Sequence, residues 1–560
     1  MCLAARSFTG RARGWGTARQ GRGIVSAPSH EKGNADMRWT RRACAILVAG
    51  VLPLSACTNE REEPAPPVTT DSLGDWEDTG RYAACTLLNT PEMICGDQES
   101  FDVSGCDAGS LASVPADGIY TMVYRSDGAA TPSIGVGSFR VSADGSLDSF
   151  RGAAPTERKV DAGSFFLSST RRQSSTVTLR NSVVGCRAEG NRLYGCYVNC
   201  RNGRVSGGGT FLAERWTRRA GEAEASGLAL LSESFVEQGF PVDIYVTQGH
   251  AYVVSTPDGV ETGGLTVFDV SNPAAPVLKT RISQPTDNYW NGGWAKGNAL
   301  YVASASSGVV VFDISNPASP QLLKSLPSGR GQIDVHTVFV EGERLYAMSP
   351  SPSPQTLIFD IQQPLEPRLL GEYAEPGAGT DPRVGFPHDA LAFEGMLYIN
   401  HWSSGYLMVD VSDAENPKKV GTYTYPYATS HANAVGKFGD RRIAFEGGES
   451  WGAHLRVLDV TDPAQPKRLG EYKLEANASI HNMVLKGERL YIAYYHHGVR
   501  VLDVSVPESP KEVAYYNTFR EMDPGRGEGF YEGAIGMRVP GDGYVYVIDT
   551  SRGLLIFPEP

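Results

Sequence analysis

The sequence predicts an all-β protein in which a seven-bladed β-propeller follows a signal peptide, a flexible tether and a small disulfide-bonded β module. Three observations lead to this prediction. A turn motif recurs at near-constant intervals, short apolar runs alternate with turn residues, and most of the cysteines lie in one region. With 560 residues, the chain is long enough for two domains that each bury a core.

The turn motif begins with Asp, ends near Pro and occurs six times in the C-terminal half. Successive copies are 44, 47, 50, 49 and 44 residues apart and begin at Asp269, Asp313, Asp360, Asp410, Asp459 and Asp503. A period of this length is typical of four-stranded propeller blades. Because proline cannot continue a strand ladder, each repeat is expected to end in a rigid corner.

Each repeat contains apolar runs of strand length, such as residues 300–304 and 308–312. A seventh repeat has two such runs, residues 544–548 and 553–557, but lacks the turn and outer strand that complete the others. An exposed strand edge needs a partner. We therefore predict that residues 228–234 supply the missing strand and close a ring of seven blades.

The third strand of the repeats also carries a family resemblance. Residues 265–269, 455–459 and 499–503 read Leu-Thr-Val-Phe-Asp, Leu-Arg-Val-Leu-Asp and Val-Arg-Val-Leu-Asp. This pattern resembles the LVIVD repeat of bacterial and archaeal cell-surface propellers, and the third copy departs from it at Gln362 and Gln363. The resemblance covers roughly residues 228–558 and implies a surface-exposed propeller without implying one particular activity.

An export signal is predicted near the N-terminus. Residues 37–42 are rich in Arg, residues 43–52 are apolar, and the sequence Leu-Ser-Ala-Cys ends at Cys57. A basic start, a short apolar run and small residues at a cleavage point are typical of a secretory signal. The ending resembles the bacterial lipobox, which implies a lipid on Cys57 and cleavage just before it. A soluble secreted chain is the alternative.

We interpret residues 1–36 as a mis-assigned upstream extension and residues 37–56 as the lipoprotein signal peptide. The expected location is the bacterial cell envelope, with the lipid anchor as the contact with the membrane. Thr58 gives no acidic retention cue, and resemblance to known sorting rules then implies the outer membrane. Residues 57–80 are rich in Pro and polar residues and are expected to be a disordered tether.

Six cysteines remain after those of the removed segment and the lipidated Cys57 are set aside: Cys85, Cys95, Cys106, Cys186, Cys196 and Cys200. They lie in a predicted β module, residues 81–217, which a linker at residues 218–227 joins to the propeller. An even number of cysteines in an exported module indicates three disulfides, with 15 possible pairings. A metal site that uses Cys186, Cys196 and Cys200 is the alternative.

The chain is acidic. Its formal net charge is −12, and removal of residues 1–56, with nine Lys/Arg and two Asp/Glu, leaves −19. Proteins that bind nucleic acid rely on basic surfaces that neutralise phosphates. The charge therefore argues against nucleic acid as a partner.

Three histidines recur at one position of the repeat. His336, His388 and His481 each lie nine residues before the leucine of the next strand, and Asn291 holds the same spacing in an earlier repeat. In the fifth repeat, His431 and Asn433 lie close to this position. If the position begins the innermost strand of each blade, these side chains converge on one mouth of the central channel.

Two interpretations of this convergence are open. Neutral imidazoles bind divalent transition metals such as Zn, Cu or Fe, and Asp334 and Asp389 could orient them. No other cofactor is indicated. The alternative is that His or Asn hydrogen-bonds the backbone of the next blade, which a repeat architecture would duplicate whatever the function.

A second group of His and aromatic residues falls on loops between the second and third strands of repeats four to six. Its members are His401, Trp402, Trp451, His454, Tyr495, His496 and His497. Trp and Tyr provide large contact areas, so the group is expected to form a binding surface for a protein or glycan. Aromatic residues without any binding role are the alternative.

The sequence lacks the phosphate-loop and His-Glu-x-x-His motifs of common enzyme classes. We therefore expect a membrane-anchored lipoprotein whose propeller is a binding or assembly scaffold at the cell surface, rather than an enzyme. The alternative is a metal-dependent hydrolase or oxidoreductase that uses the channel histidines.

Overall fold

The computed structural model describes residues 65–88, 90 and 93–560. The expectations for the upstream extension, the signal peptide and the lipidated Cys57 lie outside the described residues. Within the described part, no helix is long and apolar enough to cross a membrane. Helical structure there consists of two short 3₁₀ helices, Gln98–Ser100 and Ala108–Ser113.

Thirteen of the described strands precede the first complete blade. They are β1 Val68–Thr70, β2 Thr86–Leu87, β3 Phe101–Asp102, β4 Gly118–Ser126, β5 Ile134–Val141, β6 Ser149–Phe150, β7 Glu157–Asp161, β8 Ser164–Arg172, β9 Thr178–Glu189, β10 Arg192–Arg201, β11 Arg204–Arg215, β12 Ala225–Ser226 and β13 Ser232–Ser234. Strands β4 to β11 form one antiparallel sheet in the order β6-β5-β4-β11-β10-β9-β8-β7. This sheet is the core of the predicted β module.

The module sheet curls until strands near its two ends meet. The rings of Phe139 on β5 and Phe165 on β8 are 5.2 Å apart between centroids, although four strands separate β5 from β8 in the sheet. Three disulfides, Cys85–Cys196, Cys95–Cys200 and Cys106–Cys186, fasten the preceding segment to β9 and β10. The alternative of a cysteine metal site is therefore wrong, because Cys186, Cys196 and Cys200 are all oxidised.

The propeller has seven blades whose strands follow one another in chain order. The complete blades are β14 Phe240–Thr247, β15 His250–Thr256, β16 Gly264–Asp269, β17 Val277–Ile282; β18 Trp290–Lys296, β19 Ala299–Ser304, β20 Gly308–Asp313, β21 Gln321–Leu326; β22 Thr337–Glu341, β23 Arg344–Ser349, β24 Gln355–Asp360, β25 Arg368–Tyr373; β26 Asp389–Phe393, β27 Met396–Asn400, β28 Tyr406–Asp410, β29 Lys418–Thr424; β30 Ser430–Phe438, β31 Arg441–Gly448, β32 Leu455–Asp459, β33 Lys467–Tyr472; and β34 Asn482–Lys486, β35 Arg489–Ala493, β36 Val499–Asp503, β37 Lys511–Tyr516. Blade 7 contributes β38 Ala534–Arg538, β39 Tyr544–Asp549 and β40 Gly553–Pro558. The first strands of neighbouring blades lie side by side around the ring.

The ring closes as the sequence predicts. Strand β13 pairs antiparallel with β40, and Glu233 lies opposite Leu555. Beside this pair, the buried Arg552 donates hydrogen bonds to both carboxylate oxygens of Glu233, at 2.9 and 2.6 Å. The outer strand of blade 7 therefore comes from the segment that precedes blade 1.

The recurrent Asp side chains stabilise the turns that end the third strands. Asp269 accepts hydrogen bonds from the backbone N–H and hydroxyl of Ser271 at 3.1 and 2.6 Å, and Asp313 does the same with Ser315. The carbonyl of the motif proline is used as well, because Tyr252 donates its hydroxyl to Pro317 in the next blade at 3.1 Å. The motif thus holds the turn and also ties neighbouring blades together.

The prediction that the tether is disordered is wrong for the residues that the structure describes. Strand β1 pairs in parallel with β29 and becomes a fifth strand of blade 4. Asp71 accepts a hydrogen bond from Tyr423 at 2.5 Å, and the Trp76 ring meets Tyr427 edge-on at 4.8 Å. These side chains fix a segment whose composition alone suggests disorder. The linker is bound similarly, since β12 pairs with β37 of blade 6.

Candidate metal centre and enclosed cavity

Four histidines from blades 3 to 6 form a continuous arc at one mouth of the propeller channel. The ring centroids of His336 and His388 are 4.2 Å apart, those of His388 and His431 are 4.0 Å apart, and those of His431 and His481 are 4.6 Å apart. The structure thus brings together the three histidines that recur in the sequence and adds His431. We call these four residues the histidine arc.

Equivalent backbone positions produce this arrangement. The N–H groups of His336, His388 and His481 donate to carbonyls of the second strand in their own blades, at 2.8, 2.8 and 2.9 Å. In blades 2 and 5, a β-bulge at the same place contains Asn291 and His431. His431 therefore holds the position of Asn291, and its sequence spacing differs because the hairpin between β30 and β31 is longer: Val435 pairs with Ala444, and pairing continues to Phe438 and Arg441.

Both ends of the arc have polar neighbours. At one end, the Asn291 amide donates to His336 Nε2 and to the His336 carbonyl, each at 3.2 Å. At the other end, the Tyr495 ring lies 5.0 Å from that of His481. Asn291 therefore already engages one ring nitrogen of His336.

A carboxylate that the sequence did not indicate as part of this site lies against the arc. Glu449 Oε2 is 3.5 Å from His431 Nε2, and Glu449 Oε1 accepts a hydrogen bond from the Tyr495 hydroxyl at 2.5 Å. Glu449 follows the second strand of blade 5, so it comes from the loop side of the same mouth. The site therefore contains imidazoles and a carboxylate.

Hydrogen bonds between blades fix the protonation pattern of two histidines. His431 Nδ1 lies 3.0 Å from the carbonyl of His481, and His481 Nδ1 lies 2.6 Å from the carbonyl of Ile535. A carbonyl oxygen only accepts, so each Nδ1 carries the proton and each neutral ring keeps its Nε2 lone pair. The expected backbone contact between blades is present, and it also prepares Nε2 as a metal ligand.

The arc is neutral at physiological pH. Burial lowers the pKa of His336 to about 4 and that of His481 to about 3. The pKa values of His388 and His431 are also well below their ordinary range, because burial and neighbouring imidazoles both disfavour a positive charge. Metal binding requires neutral imidazole, so no proton has to be removed before an ion binds.

The ligand set that best fits a metal ion is His388, His431 and Glu449. One potential ligand atom from each lies within 4.8 Å of the others, and all three side chains are buried. Among the described residues, His388 Nδ1 and His431 Nε2 have no hydrogen-bond partner. Bonds of about 2.0–2.2 Å to a transition metal place ligand atoms roughly 3–4 Å apart, so a small side-chain movement would complete the site.

The two carboxylates expected to orient the histidines have other positions. Burial raises the pKa of Asp334 to about 6 and that of Asp389 to about 7. Asp334 accepts a hydrogen bond from Ser351, and Asp389 lines the cavity below the arc. In the described part of the chain, neither carboxylate hydrogen-bonds an imidazole of the arc.

The arc lines a cavity of about 890 Å³ that extends from the β module into the propeller channel. The module covers the mouth. The Gly152 N–H donates to Glu528 and the Ile119 N–H donates to Glu521, both at 2.7 Å. The Trp216 ring also packs against Phe519 at 4.6 Å. The histidines therefore face a partly enclosed space rather than open solvent.

The first strands of blades 2 to 4 also carry apolar side chains that line the channel, each three residues after the polar residue at the mouth. Asn291, His336 and His388 at the mouth are followed by a second level of side chains that also line the cavity: Trp294, Phe339 and Leu391. The Trp294 and Phe339 rings contact each other at 4.7 Å. The cavity thus has a polar level at the histidine arc and an apolar level below it.

The second histidine and aromatic group divides into two parts. Trp402 stacks on His388 at 5.4 Å, and Tyr495 contacts the arc at His481, so both belong to the channel mouth. The remaining members are buried: His401, Trp451, His454, His496 and His497.

The expectation that this group forms an exposed binding surface does not fit their positions. Trp451 packs in a cluster with Trp76, and His496 packs against Phe519 at 4.3 Å and Trp216 at 6.3 Å. His454 Nδ1 lies 3.1 Å from Asp75. The module and the segment that precedes it cover this face of blades 5 and 6.

Comparison with known proteins supports the repeat assignment. The LVIVD repeat matches residues 239–283, 293–326 and 479–518, which correspond to blades 1, 2 and 6. No curated protein sequence matches the chain.

Solved structures that resemble the chain include the following two. The computationally designed Ika8 protein is 8% identical over 70% of this chain and 95% of its own, with a TM-score of 0.39. The WD40 beta propeller domain of Doa1 is 12% identical over 60% of this chain and 98% of its own, with a TM-score of 0.45. The sequence matches and the observed blades together give the assignment: the chain is a seven-bladed β-propeller with LVIVD repeats.

Proposed function

We propose that this protein is a metal-dependent enzyme that binds a small molecule in the enclosed cavity and holds a divalent transition metal at His388, His431 and Glu449. The observation that carries the proposal is the convergence of neutral, buried imidazoles and a carboxylate on one wall of an 890 Å³ cavity. Cavities of this size are typical of small-molecule sites.

The enclosed cavity is better supported than an open binding surface. The propeller supplies a rigid scaffold, but most residues expected to contact a protein or glycan are buried beneath other parts of the same chain. In contrast, His388 and His431 each have a buried ring nitrogen without a hydrogen-bond partner in the described residues. A buried polar atom without a partner is costly, and a bound ion would remove that cost.

The identity of the ion decides the class of reaction. Imidazole and carboxylate ligands suit Zn, Fe and Cu. Zinc would supply Lewis acidity for hydrolysis, whereas iron or copper would support oxidation. The chain itself supplies an apolar channel level next to the proposed metal ligands and a Tyr495–Glu449 hydrogen bond that holds the carboxylate in place.

The test is the metal content of residues 58–560, exported to an oxidising periplasm and purified without chelating resin. We expect near-stoichiometric Zn, Fe or Cu in the wild type by mass spectrometry, and its loss in His388→Ala and Glu449→Gln. His250→Gln is the matched control, because His250 lies on blade 1 and its Nδ1 lies 2.9 Å from the Gln248 carbonyl. A wild type that stays metal-free after incubation with each ion would overturn the proposal.

We also propose that the protein is exported and attached to the outer membrane by a lipid on Cys57. Three disulfides support export, because disulfides persist in oxidising compartments. Labelling with radioactive palmitate should mark the wild type and leave Cys57→Ser unlabelled, and fractionation should find the label in the outer membrane. Equal labelling of both proteins would contradict the lipid attachment.

A further inference from the structure

We infer that the cavity takes an amphipathic anion, with its apolar body in the channel and its anionic group on Arg151 and Arg171 of the β module. This inference rests on the proposed ligand-binding role of the cavity and names the chemical class of the ligand. It also gives the module a part in recognition, in addition to covering the channel mouth.

The positive end of the cavity is built by two arginines. Arg151 follows β6 and Arg171 lies on β8, and both line the cavity wall opposite the propeller. Their charges act on each other: burial, and then the charge of Arg151, lower the pKa of Arg171. Two guanidinium groups held together in a partly buried wall attract an anion, and their planar donors match a carboxylate.

Arg151 is held toward the cavity by its surroundings. Its backbone has a φ of 60°, and the next residue, Gly152, is anchored to blade 7 through Glu528. Its guanidinium lies 5.2 Å from the Tyr124 ring centroid. Within the described chain, Arg151 Nε is buried without a hydrogen-bond partner.

Acidic residues on the propeller side of the cavity have hydrogen-bond contacts of their own. Glu528 accepts the Gly152 N–H, and Glu532 accepts the hydroxyl of Thr550 at 2.7 Å. Glu449 accepts the Tyr495 hydroxyl. Of the module residues that line the cavity, Arg151 and Arg171 are the charged ones.

The body of the ligand is defined by the apolar level of the channel. Trp294, Phe339 and Leu391 are half-buried and face the cavity, and Val435 and Val484 continue this level in blades 5 and 6. Aliphatic or aromatic groups are the chemical complement of such a lining. A ligand that spans both levels passes the histidine arc, which places its middle beside the proposed metal ligands.

The test uses three ten-carbon probes that differ only in the head group: decanoate, decan-1-ol and decyltrimethylammonium. Titration calorimetry on residues 58–560 should show that decanoate binds at least tenfold more tightly than either of the others. The double variant R151Q/R171Q should lose at least tenfold in decanoate affinity and keep its decan-1-ol affinity within twofold. Each single variant should lose part of that affinity, which covers the case in which the double variant does not fold.

Arg172→Gln is the matched control, because Arg172 follows Arg171 on β8, is exposed and donates to the Ser174 and Ser175 carbonyls. It should bind decanoate as the wild type does. Equal binding of the three probes, absence of binding, or unchanged decanoate affinity in R151Q/R171Q would each overturn the inference.

Repeating the titrations after EDTA treatment separates this inference from the metal proposal. Decanoate binding that survives EDTA and depends on the arginines supports the inference even if no metal is found. Decanoate binding that disappears with EDTA and ignores the arginines would show that the ion holds the carboxylate. That outcome would overturn the inference while supporting the metal centre.

Discussion

Asp75 and Arg456 form a buried ion pair across 381 residues of sequence, with Asp75 Oδ1 accepting from Arg456 Nη2 at 2.9 Å. The Arg456 guanidinium also lies 3.5 Å from the Tyr425 ring centroid, and His454 Nδ1 lies 3.1 Å from the same Asp75 oxygen. The segment before the β module is thus fastened into blade 5 by charge as well as by apolar packing.

Asp75→Ala should strongly destabilise the propeller. Removal of Asp75 leaves the buried Arg456 charge with Glu446, at 3.7 Å, as its remaining carboxylate. Breaking a buried pair costs about 3–5 kcal/mol, and we expect a loss near the lower end of that range. Glu237→Ala is the control, because its pair with Arg281 is exposed and should contribute less than about 1 kcal/mol. Denaturant unfolding measures both variants. Similar free energies of unfolding for the two would show that the Asp75 segment is not an integral part of the fold.

A bound ion should stabilise the protein against heat. Binding to the folded state alone adds about 2.7 kcal/mol when the free ion is at 100 times its Kd. We expect the unfolding temperature to rise with the metal identified in the purified protein and to fall again after EDTA. The same additions should leave His388→Ala unchanged. An equal rise in wild type and variant would assign the effect to another site.

The disulfide between Cys106 and Cys186 should contribute strongly to the stability of the β module. With Cys95–Cys200 intact, it closes a loop of about 25 residues, made of residues 95–106 and 186–200, which corresponds to roughly 3 kcal/mol in the chain-entropy model. The double variant Cys106→Ser/Cys186→Ser should therefore unfold at lower denaturant concentration while the other two disulfides remain. Unchanged unfolding of the module would contradict this expectation.

Protonation of the Asp side chains in the propeller turns should lower the stability of the fold at acid pH. Hydrogen bonds from Ser271 lower the pKa of Asp269 to about 2, and those from Ser505 lower that of Asp503 to about 2. Because these pKa values lie below the ordinary value of 3.8, the ionised turns stabilise the fold above about pH 4. This contribution is lost as the pH falls toward 2.

Thermal unfolding between pH 5 and pH 2 measures this effect. The unfolding temperature of the wild type should fall most steeply below pH 4. The double variant Asp269→Ala/Asp503→Ala should have a lower unfolding temperature than the wild type at pH 5. Its unfolding temperature should fall less between pH 5 and pH 2, because two titrating Asp side chains are absent. Parallel curves for the two proteins would show that other groups control acid unfolding.

The propeller was predictable because the contacts that define its turns join residues close in sequence and recur in successive blades. Asp269 and Ser271 are two residues apart, and equivalent contacts recur in later blades, so the turn is visible in the sequence. The closing strand was also predictable, since the last repeat lacks an outer strand. Both predictions depend on neighbouring residues or on a simple count of strands.

Parts of the site and of the N-terminal half depend on contacts that leave no local pattern. His431 departs from the regular spacing because the hairpin between β30 and β31 is longer than in other blades, and Glu449 approaches it from a loop after β31. The pairing of the cysteines and the ion pair of Asp75 join residues 80 or more positions apart. The Pro-rich composition before Asp75 indicates disorder and does not reveal the side chains that bind the propeller.

The pairing of β13 with β40 also sets the order in which the molecule can be assembled. A chain that emerges from its N-terminus exposes all six module cysteines long before residue 553, so the module disulfides can form while the propeller is still incomplete. The propeller ring, in contrast, cannot close until β40, its last strand, has been synthesised and can pair with β13. Premature termination a few residues from the end would therefore leave an open arc of blades with two unpaired edges, which is a surface prone to self-association.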